Sequence, residues 1–303
     1  MRYSMKLSRR RFIGTAAAGV GAMMLDFPFA GAAPVVAGNH DPYEMISLGK
    51  TGITTTRLCF GTGMRGSQRQ SDVTRMGYEA AVKFTRELYN RGVRMFDLAD
   101  IYGTHAFISD ALKIYPRRDY VLFTKLWFMR GGIPETERPD AETVVARFLR
   151  ELQTDYIDGV QLHCLTSGNW NTEQSDYMTS LDKLKQKGVI RSHGLSCHGL
   201  PAMETAVRET WVDTAHVRIN PYGSHMDDKV ENVEPVVKQL HQAGKGVIGM
   251  KILGQGTLIG NDEQKDNCFR YILNLGAVDV LDIGMDKISD ILDNESRIRK
   301  VPV

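Results

Sequence analysis

The chain has 303 residues, of which 42% are hydrophobic and 24% are charged, and its formal net charge is +2. This composition indicates a globular protein with one large domain or two small ones. We find no basic stripe with interleaved aromatic residues, which argues against nucleic-acid binding. No apolar run reaches the roughly 18 residues that a permanent membrane span requires.

The first 33 residues have the pattern of an export signal. Ser8-Arg9-Arg10-Arg11-Phe12-Ile13 is basic with paired arginines, the run from Ile13 to Leu25 is uncharged, and Ala30-Gly31-Ala32 offers a small-residue cleavage site. Together these features predict a twin-arginine signal peptide at residues 1–33, with a disordered basic tail as the alternative. We therefore expect a periplasmic or exported protein whose partner is the twin-arginine export machinery.

The rest of the chain alternates between two kinds of pattern. Residues 34–44 are predicted to be a linker, and Leu48-Gly49-Lys50-Thr51-Gly52 is a tight-turn signal that predicts a short hairpin. Strand-like apolar runs then alternate with helical patterns. The strand-like runs are Thr56–Phe60, Arg94–Asp97, Tyr120–Lys125, Ile157–His163, Ser192–Ser196, Thr214–Ile219, Gly246–Met250 and Asp279–Ile283. The clearest helical patterns are Met76–Asn90, Ala141–Leu152, Tyr177–Lys187, Met203–Arg208, Val233–Gln242, Gln264–Leu275 and Lys287–Arg299.

This alternation predicts an α/β fold, a (β/α)8 TIM barrel over residues 45–303 with a short N-terminal β-hairpin. The near-continuous apolar runs are typical of parallel strands that are buried on both faces. A doubly wound open sheet is the alternative. Against it, no Gly-x-Gly-x-x-Gly follows the first strand, because Phe60-Gly61-Thr62-Gly63-Met64 is too short a match.

Three titratable residues stand at the ends of consecutive predicted strands, namely Asp97, Lys125 and His163. In such a barrel the chemistry occurs at the carboxyl ends of the strands, so we expect these side chains to converge, with Tyr102 lowered onto them from the next loop. A lysine beside a carboxylate stays protonated, and its charge is expected to lower the pKa of the tyrosine. Such a tyrosine can give a proton to a carbonyl oxygen or take it back. Taken singly, these residues are more typical of an ion pair, a packing tyrosine and a buried histidine.

The chain resembles the aldo-keto reductase family over about residues 46 to 295. Phe96-Asp97-Leu98-Ala99-Asp100-Ile101-Tyr102-Gly103 is similar to the family's motif on strand 2. Thr154-Asp155-Tyr156-Ile157-Asp158, leading to His163, is similar to strand 4, and Lys187-Gly188-Val189-Ile190-Arg191, leading to Gly194-Leu195-Ser196, is similar to strand 5.

The resemblance implies an oxidoreductase that transfers a hydride between a nicotinamide cofactor and an aldehyde, ketone or sugar carbonyl or alcohol. It implies that Tyr102 is the general acid/base, that Asp97 and Lys125 tune it, and that His163 orients the carbonyl. One alternative is a barrel that binds the cofactor without turnover, as a sensor or partner subunit. Another is a lyase or isomerase in which Asp97 and His163 ligate a metal.

The same resemblance implies cofactor contacts after strands 5, 7 and 8. Ser196 would hold the carboxamide, and Lys251 with neighbouring glycines would approach the pyrophosphate. Three positions depart from the family, because Cys197 stands for an asparagine, His216 for a glutamine and Met250 for the aromatic residue that stacks on the nicotinamide. The implied cofactor-binding residues are Ser196, Met250, Lys251, Leu253, Gly254, Gly284, Asp293 and Asn294.

We expect NADP(H) rather than NAD(H) only because NADP(H) is the commoner cofactor in the family that the chain resembles. Asp286 would repel a 2′-phosphate, although the adjacent Lys287 would compensate. No Cys-x-x-Cys or His-x-x-x-His spacing occurs, so no metal site is predicted. The four cysteines do not form a disulfide framework in a domain of this size.

Overall fold

The structure is a computed structural model, and it describes residues 38–303. The predicted signal at residues 1–33 lies outside the described residues. The predicted linker is described from Gly38 onward, and there it runs along the barrel. Its backbone pairs with the end of the chain, because Val303 donates to Gly38 at 2.9 Å and His40 donates to Val301 at 3.0 Å.

The described chain contains ten strands and ten α-helices. The strands are β1 (Met45–Ser47), β2 (Thr54–Thr56), β3 (Leu58–Gly61), β4 (Met95–Asp97), β5 (Val121–Leu126), β6 (Ile157–Leu165), β7 (Ile190–Cys197), β8 (Thr214–Arg218), β9 (Gly246–Met250) and β10 (Val280–Ile283). The helices are α1 (Asp72–Arg75), α2 (Tyr78–Arg91), α3 (His105–Leu112), α4 (Ala141–Leu152), α5 (Trp170–Glu173), α6 (Ser175–Gln186), α7 (Leu200–Arg208), α8 (Val230–Gln242), α9 (Asp262–Asn274) and α10 (Ile288–Ile298).

Eight of these strands close a parallel barrel in the order β10-β3-β4-β5-β6-β7-β8-β9, and β1 and β2 form a separate antiparallel sheet. The predicted (β/α)8 barrel with an N-terminal hairpin is therefore confirmed. The bounds of β9 and α4 are those predicted. Helix α3 was not predicted. It begins at His105, the preceding Thr104 makes no side-chain cap hydrogen bond, and no glycine follows its end at Leu112, so the sequence signals for the helix are weak.

The hairpin lies against the amino-terminal end of the barrel. Its Leu48 and Ile53 are fully buried and pack with inward-facing strand residues. Gly49 has φ +51°, and a Cβ there would lie 2.3 Å from the backbone nitrogen of Gly246. Only glycine allows this close approach. In the part of the chain that the structure describes, no helix is long and apolar enough to cross a membrane.

Inward-facing positions change from apolar to polar along the strands. Because side chains alternate with a period of two, the residue two places after an inward apolar residue also faces the interior. At the carboxyl ends this later residue is Asp97 in β4, Lys125 in β5 and Asp282 in β10. The apolar residues that precede them are Met95, Phe123 and Val280. The barrel thus has an apolar lower interior and a polar mouth.

Candidate active site

A buried ion pair lies at the floor of the mouth. The ammonium of Lys125 donates to the carboxylate of Asp97 and, at 3.0 Å, to the carbonyl of Leu98. His216 approaches the same carboxylate from across the barrel, with Nε2 3.0 Å from Oδ1 of Asp97. Burial alone would raise the pKa of Asp97, but the charge of Lys125 and the contact with His216 outweigh it and hold the pKa below its ordinary value. Asp97 is therefore a carboxylate at neutral pH.

Tyr102 stands on a short 3-10 turn, Asp100–Tyr102, directly after β4. Asp100, only 3% exposed, receives both arms of the Arg147 guanidinium, at 2.9 and 2.5 Å. Gly103 ends the turn with φ +69°, and a Cβ there would lie 2.1 Å from the carbonyl oxygen of Arg69. Asp100 is thus a structural anchor that fixes where Tyr102 points.

Replacing Arg147 by methionine leaves the buried Asp100 without its bidentate partner. We expect the free energy of unfolding to fall by about 3 kcal/mol, because the buried carboxylate then keeps only the longer contact with the Arg69 guanidinium, at 3.5 Å. Urea unfolding followed by tryptophan fluorescence measures this. The control is Arg118→Met, since Arg118 is 86% exposed and 3.8 Å from Asp119, and it should cost less than about 0.5 kcal/mol. Equal losses in the two variants would contradict the anchoring role.

The hydroxyl of Tyr102 meets the imidazole of His163, with Oη 3.2 Å from Nε2. Burial, with the charge of Lys125 next, lowers the pKa of His163 well below its usual range, so the ring is neutral. The loop after β3 packs on the tyrosine ring, because a Cβ at Gly63 or Gly66 would lie 2.4 or 2.5 Å from ring atoms. The structure thus brings the predicted residues Asp97, Tyr102, Lys125 and His163 together.

The electrostatics at Tyr102 differ from our expectation. Burial, followed by the negative charge of Asp97, raises the pKa of Tyr102 well above its usual range. The Lys125 ammonium lies 5.5 Å from the centre of the tyrosine ring, and its charge is engaged by Asp97. A lysine that is already neutralised cannot lower the pKa of a second group by much. Tyr102 is therefore a phenol at neutral pH.

Ser196, the expected carboxamide contact, sits at the end of β7 beside a thiol. Cys164 has φ +63°, a left-handed conformation that is rare for a residue with a side chain. This conformation turns its backbone N–H to donate to Ser196 Oγ at 3.0 Å, and its Sγ lies 3.3 Å from Nε2 of His198. Burial raises the pKa of Cys164 to about 11, so the thiol is neutral. Ser196 Oγ accepts a bond from Cys164 and lies 3.5 Å from Nδ1 of His198, so its hydroxyl proton can donate either to that ring or to a ligand.

The expected pyrophosphate loop follows β9. Met250, 8% exposed, ends the strand, and Lys251 follows with φ +58°. Within residues 38–303, no salt bridge of 4.0 Å or less involves Lys251. Leu253 and Gly254 continue into a 3-10 turn in which the N–H of Gly254 donates to Lys251 at 2.9 Å. The resemblance predicts that this N–H faces phosphate, whereas in the structure it donates to a backbone carbonyl within the turn.

The remaining predicted cofactor residues lie further from the ion pair. Gly284, just after β10, faces Met64, because a Cβ there would lie 2.3 Å from Met64 Cγ. Asp293 accepts from Lys265 at 2.8 Å and from Arg297 at 2.9 Å on the outer helices. Asn294 is 3% exposed. These three residues are not brought next to Tyr102.

Two charged residues at the mouth were not identified from the sequence. Arg218, at the end of β8, lies 3.3 Å from Asp227, whose side chain is fully buried. Asp282, in β10, forms with Asp97 and His216 the one group of three potential metal ligands within the described residues, and His163 is not part of that group. The sequence contains a signal for both Arg218 and Asp282, because each of them interrupts or ends an apolar strand, as Asp97 does. Both residues face the site from strands distant in sequence.

Comparisons with known proteins identify the family of this chain. A model of the aldo/keto reductase family matches residues 57–275. The chain is 30% identical over 164 residues to L-galactose dehydrogenase of Arabidopsis thaliana, a match that covers 52% of this chain and 49% of the relative. It is 28% identical over 148 residues to methylglyoxal reductase DkgB of Salmonella typhi, covering 47% and 52%. The matches thus span about half the length of these relatives.

Solved structures show the same fold. The aldo-keto reductase AKR11C1 of Bacillus halodurans, in its holo form, superposes with a TM-score of 0.68 at 22% identity, over 86% of this chain and 92% of that chain. The family model covers most of the chain, and its matched span contains Asp97, Tyr102, Lys125 and His163. The chain therefore belongs to the aldo/keto reductase family.

Proposed function

We propose that the chain is an oxidoreductase that transfers a hydride between a nicotinamide cofactor and an aldehyde, ketone or sugar carbonyl or alcohol, with Tyr102 as the general acid/base. The observation that carries the proposal is the contact of Tyr102 Oη with His163 Nε2 at 3.2 Å above the Lys125–Asp97 pair. Carbonyl reduction needs a proton donor at the carbonyl oxygen and groups that stabilise the charge that develops there, and a phenol beside a neutral imidazole and a buried ion pair can supply both.

In the reductive direction the bound nicotinamide supplies the hydride. Tyr102 gives its proton from Oη to the carbonyl oxygen as negative charge develops there, and an alkoxide is basic enough to take a proton even from a phenol of raised pKa. His163 holds the carbonyl oxygen beside Tyr102 through Nε2, as a neutral donor. Asp97 offsets most of the charge of the Lys125 ammonium, and the positive potential that remains near the Tyr102 ring favours the developing phenolate.

The residues at the mouth fit a nicotinamide dinucleotide. Ser196 has a hydroxyl proton that can donate to a carboxamide, and Lys251, which forms no salt bridge of 4.0 Å or less among the described residues, offers an ammonium to an anionic ligand. We propose NADP(H) first and NAD(H) second. Asp286 and Lys287, both exposed, are the residues that would decide between the two cofactors.

The decisive experiment is oxidation of reduced cofactor, with NADPH and NADH in separate assays, against a panel of aldehydes, ketones and sugars. The panel includes methylglyoxal, and L-galactose is tested in the oxidative direction, because the similar proteins are named for them. Fluorescence titration of each cofactor runs in parallel. Binding without any turnover would favour the sensor or partner subunit. Turnover of another kind that a chelator abolishes would favour the metal-dependent lyase or isomerase.

We also propose that residues 1–33 direct the protein to the twin-arginine export machinery and thus to the periplasm. Replacing Arg9 and Arg10 together by lysine is expected to keep the protein in the cytoplasm, because the route recognises the arginine pair. Immunoblots of periplasmic and cytoplasmic fractions measure this. Replacing Arg2 and Lys6 instead, which lie outside the pair, is the control. Unchanged export of the Arg9/Arg10 variant would refute the signal.

A further inference from the structure

Asp282 occupies a space that the barrel leaves for it. Closure of the barrel pairs β10 with β3, so that Asp282 lies beside Cys59 in register. A Cβ at Gly61 would lie 2.3 Å from Oδ1 of Asp282, so only glycine leaves room for the carboxyl group. The family roles described above use no acid at this position.

Three polar atoms meet there, and none of them makes a hydrogen bond of good geometry within the described part of the chain, although two of them, Nε2 of His216 and Oδ1 of Asp97, lie 3.0 Å apart. The three atoms are Oδ1 of Asp282, Oδ1 of Asp97 and Nε2 of His216. Side-chain ligand atoms of these three residues, one from each, lie within 4.8 Å of one another. His216 is fully buried and Asp97 is 3% exposed. A buried polar atom that makes no hydrogen bond costs about 1–3 kcal/mol. The cluster therefore needs a shared proton, directly or through a bridging water, or a bound cation.

Net charge favours the proton over a cation. Lys125 is the ammonium bonded to this cluster, through Asp97, whereas Lys251 acts on Asp282 without forming a salt bridge of 4.0 Å or less to it among the described residues. With both acids ionised and His216 neutral, the cluster has one excess negative charge, and a divalent cation would leave one excess positive charge. One added proton leaves the cluster neutral. In a poorly solvated site the neutral arrangement has the lowest free energy.

We propose that Asp282 carries this proton at neutral pH and acts as a positioning residue, which keeps Lys125 on Asp97 and so sets the proton affinity of Tyr102. The effect on Tyr102 rests on the proposed function, whereas the protonation of Asp282 does not. Once Asp282 ionises, two carboxylates compete for Lys125, and a second negative charge lies near the phenol.

The electrostatics of the neighbouring groups support this arrangement. Burial, followed by the charge of Asp97, raises the pKa of Asp282 to about 8. Burial lowers the pKa of His216, so the proton resides on the acid and not on the imidazole. The charge of Asp282 also contributes to raising the pKa of Tyr102. The titratable groups that face Asp282 are Cys59, Asp97, Tyr102, Lys125, His216 and Lys251.

The proposal predicts a specific dependence of stability on pH. The pKa of Asp282 in the folded state, about 8, lies above the ordinary carboxyl value of about 3.9. The stabilisation from holding the proton is therefore present at low pH and is lost as the pH rises through 8. Asp282→Asn cannot ionise, so its free energy of unfolding should rise relative to that of the wild type between pH 4 and 9.

The test is infrared spectroscopy of the full chain, titrated from pH 5 to 10. Wild type should show a protonated-carboxyl band that disappears near pH 8, and Asp282→Asn should lack it. The control is Asp279→Asn, which keeps the hydrogen bond that Asp279 accepts from the Val247 N–H and should keep the band. Persistence of the band in Asp282→Asn, or a variant less stable than wild type at pH 9, would overturn the proposal. Elemental analysis that finds one equivalent of a divalent metal in the purified wild type would also overturn the proposal.

The role in positioning needs a readout that packing alone would not change. In the alcohol-oxidising direction, the alkaline rise of kcat/KM should move about one pH unit lower in Asp282→Asn, because a like charge near Tyr102 is gone. An unmoved profile would overturn the positioning role. Absence of turnover in both proteins would refute the proposed function, and the infrared titration would still decide the protonation of Asp282.

Discussion

Tyr102→Phe should lower kcat by about 10²–10⁴-fold while the affinity for reduced cofactor stays at the wild-type level. The variant removes one oxygen, the one that lies 3.2 Å from His163 Nε2. Gly63 and Gly66 pack against carbon atoms of the Tyr102 ring. Phenylalanine keeps these ring atoms, so it should fit the same space. Steady-state oxidation of the cofactor with the best substrate of the panel, and fluorescence titration of the cofactor, measure the two quantities.

Tyr115→Phe provides a matched control for this experiment. Tyr115 donates to Asn90 at 2.7 Å on the outside of the barrel, so the loss of its hydroxyl should leave turnover at the wild-type level. If Tyr102→Phe retains turnover within about tenfold of wild type, another group gives the proton and the assignment of Tyr102 is wrong. If cofactor binding falls together with turnover, Tyr102 serves binding and not proton transfer.

Lys125→Met should lower both stability and activity. Lys125 is 1% exposed and is the cation that neutralises Asp97. We expect the free energy of unfolding to fall by about 3–5 kcal/mol, since the buried carboxylate loses its partner. We also expect kcat to fall by at least about 10²-fold, because no ammonium then supports the developing phenolate. Urea unfolding and steady-state kinetics provide the two measurements.

A double variant separates the two effects of Lys125. Lys125→Met combined with Asp97→Asn removes both charges, so much of the stability should return while kcat stays low. Lys113→Met is the control, because Lys113 is 51% exposed and pairs with Asp110 at the surface, and it should change stability by less than about 0.5 kcal/mol. Recovery of activity in the double variant would show that Lys125 acts through stability alone.

Local sequence patterns predicted most of the barrel and the four central side chains. Met95-Phe96-Asp97 alternates inward and outward positions, so an acid at its end must face the mouth. Lys125 and His163 follow from the same alternation on the next two strands. These inferences needed only the order of neighbouring strands, which a (β/α)8 chain fixes.

The parts that could not be predicted depend on distances across the barrel. His216 reaches Asp97 from β8 to β4, two strands that do not pair. Such a contact depends on the stagger of the strands around the barrel, which the spacing of residues along the chain does not show. The raised pKa of Tyr102 likewise follows from burial, to which the loop after β3 contributes by packing on the tyrosine ring.

Transfer of deuterium from cofactor to product tests the central claim most directly. Wild-type protein is incubated with a reactive carbonyl and with nicotinamide cofactor deuterated at one face of C4, and the alcohol is analysed by mass spectrometry. Our account predicts one deuterium on the carbinol carbon from one face of the cofactor only, and a Tyr102→Phe variant that binds the cofactor but forms little labelled alcohol. Alcohol formed without deuterium from either face, or bound cofactor with no product from any carbonyl, would contradict the account.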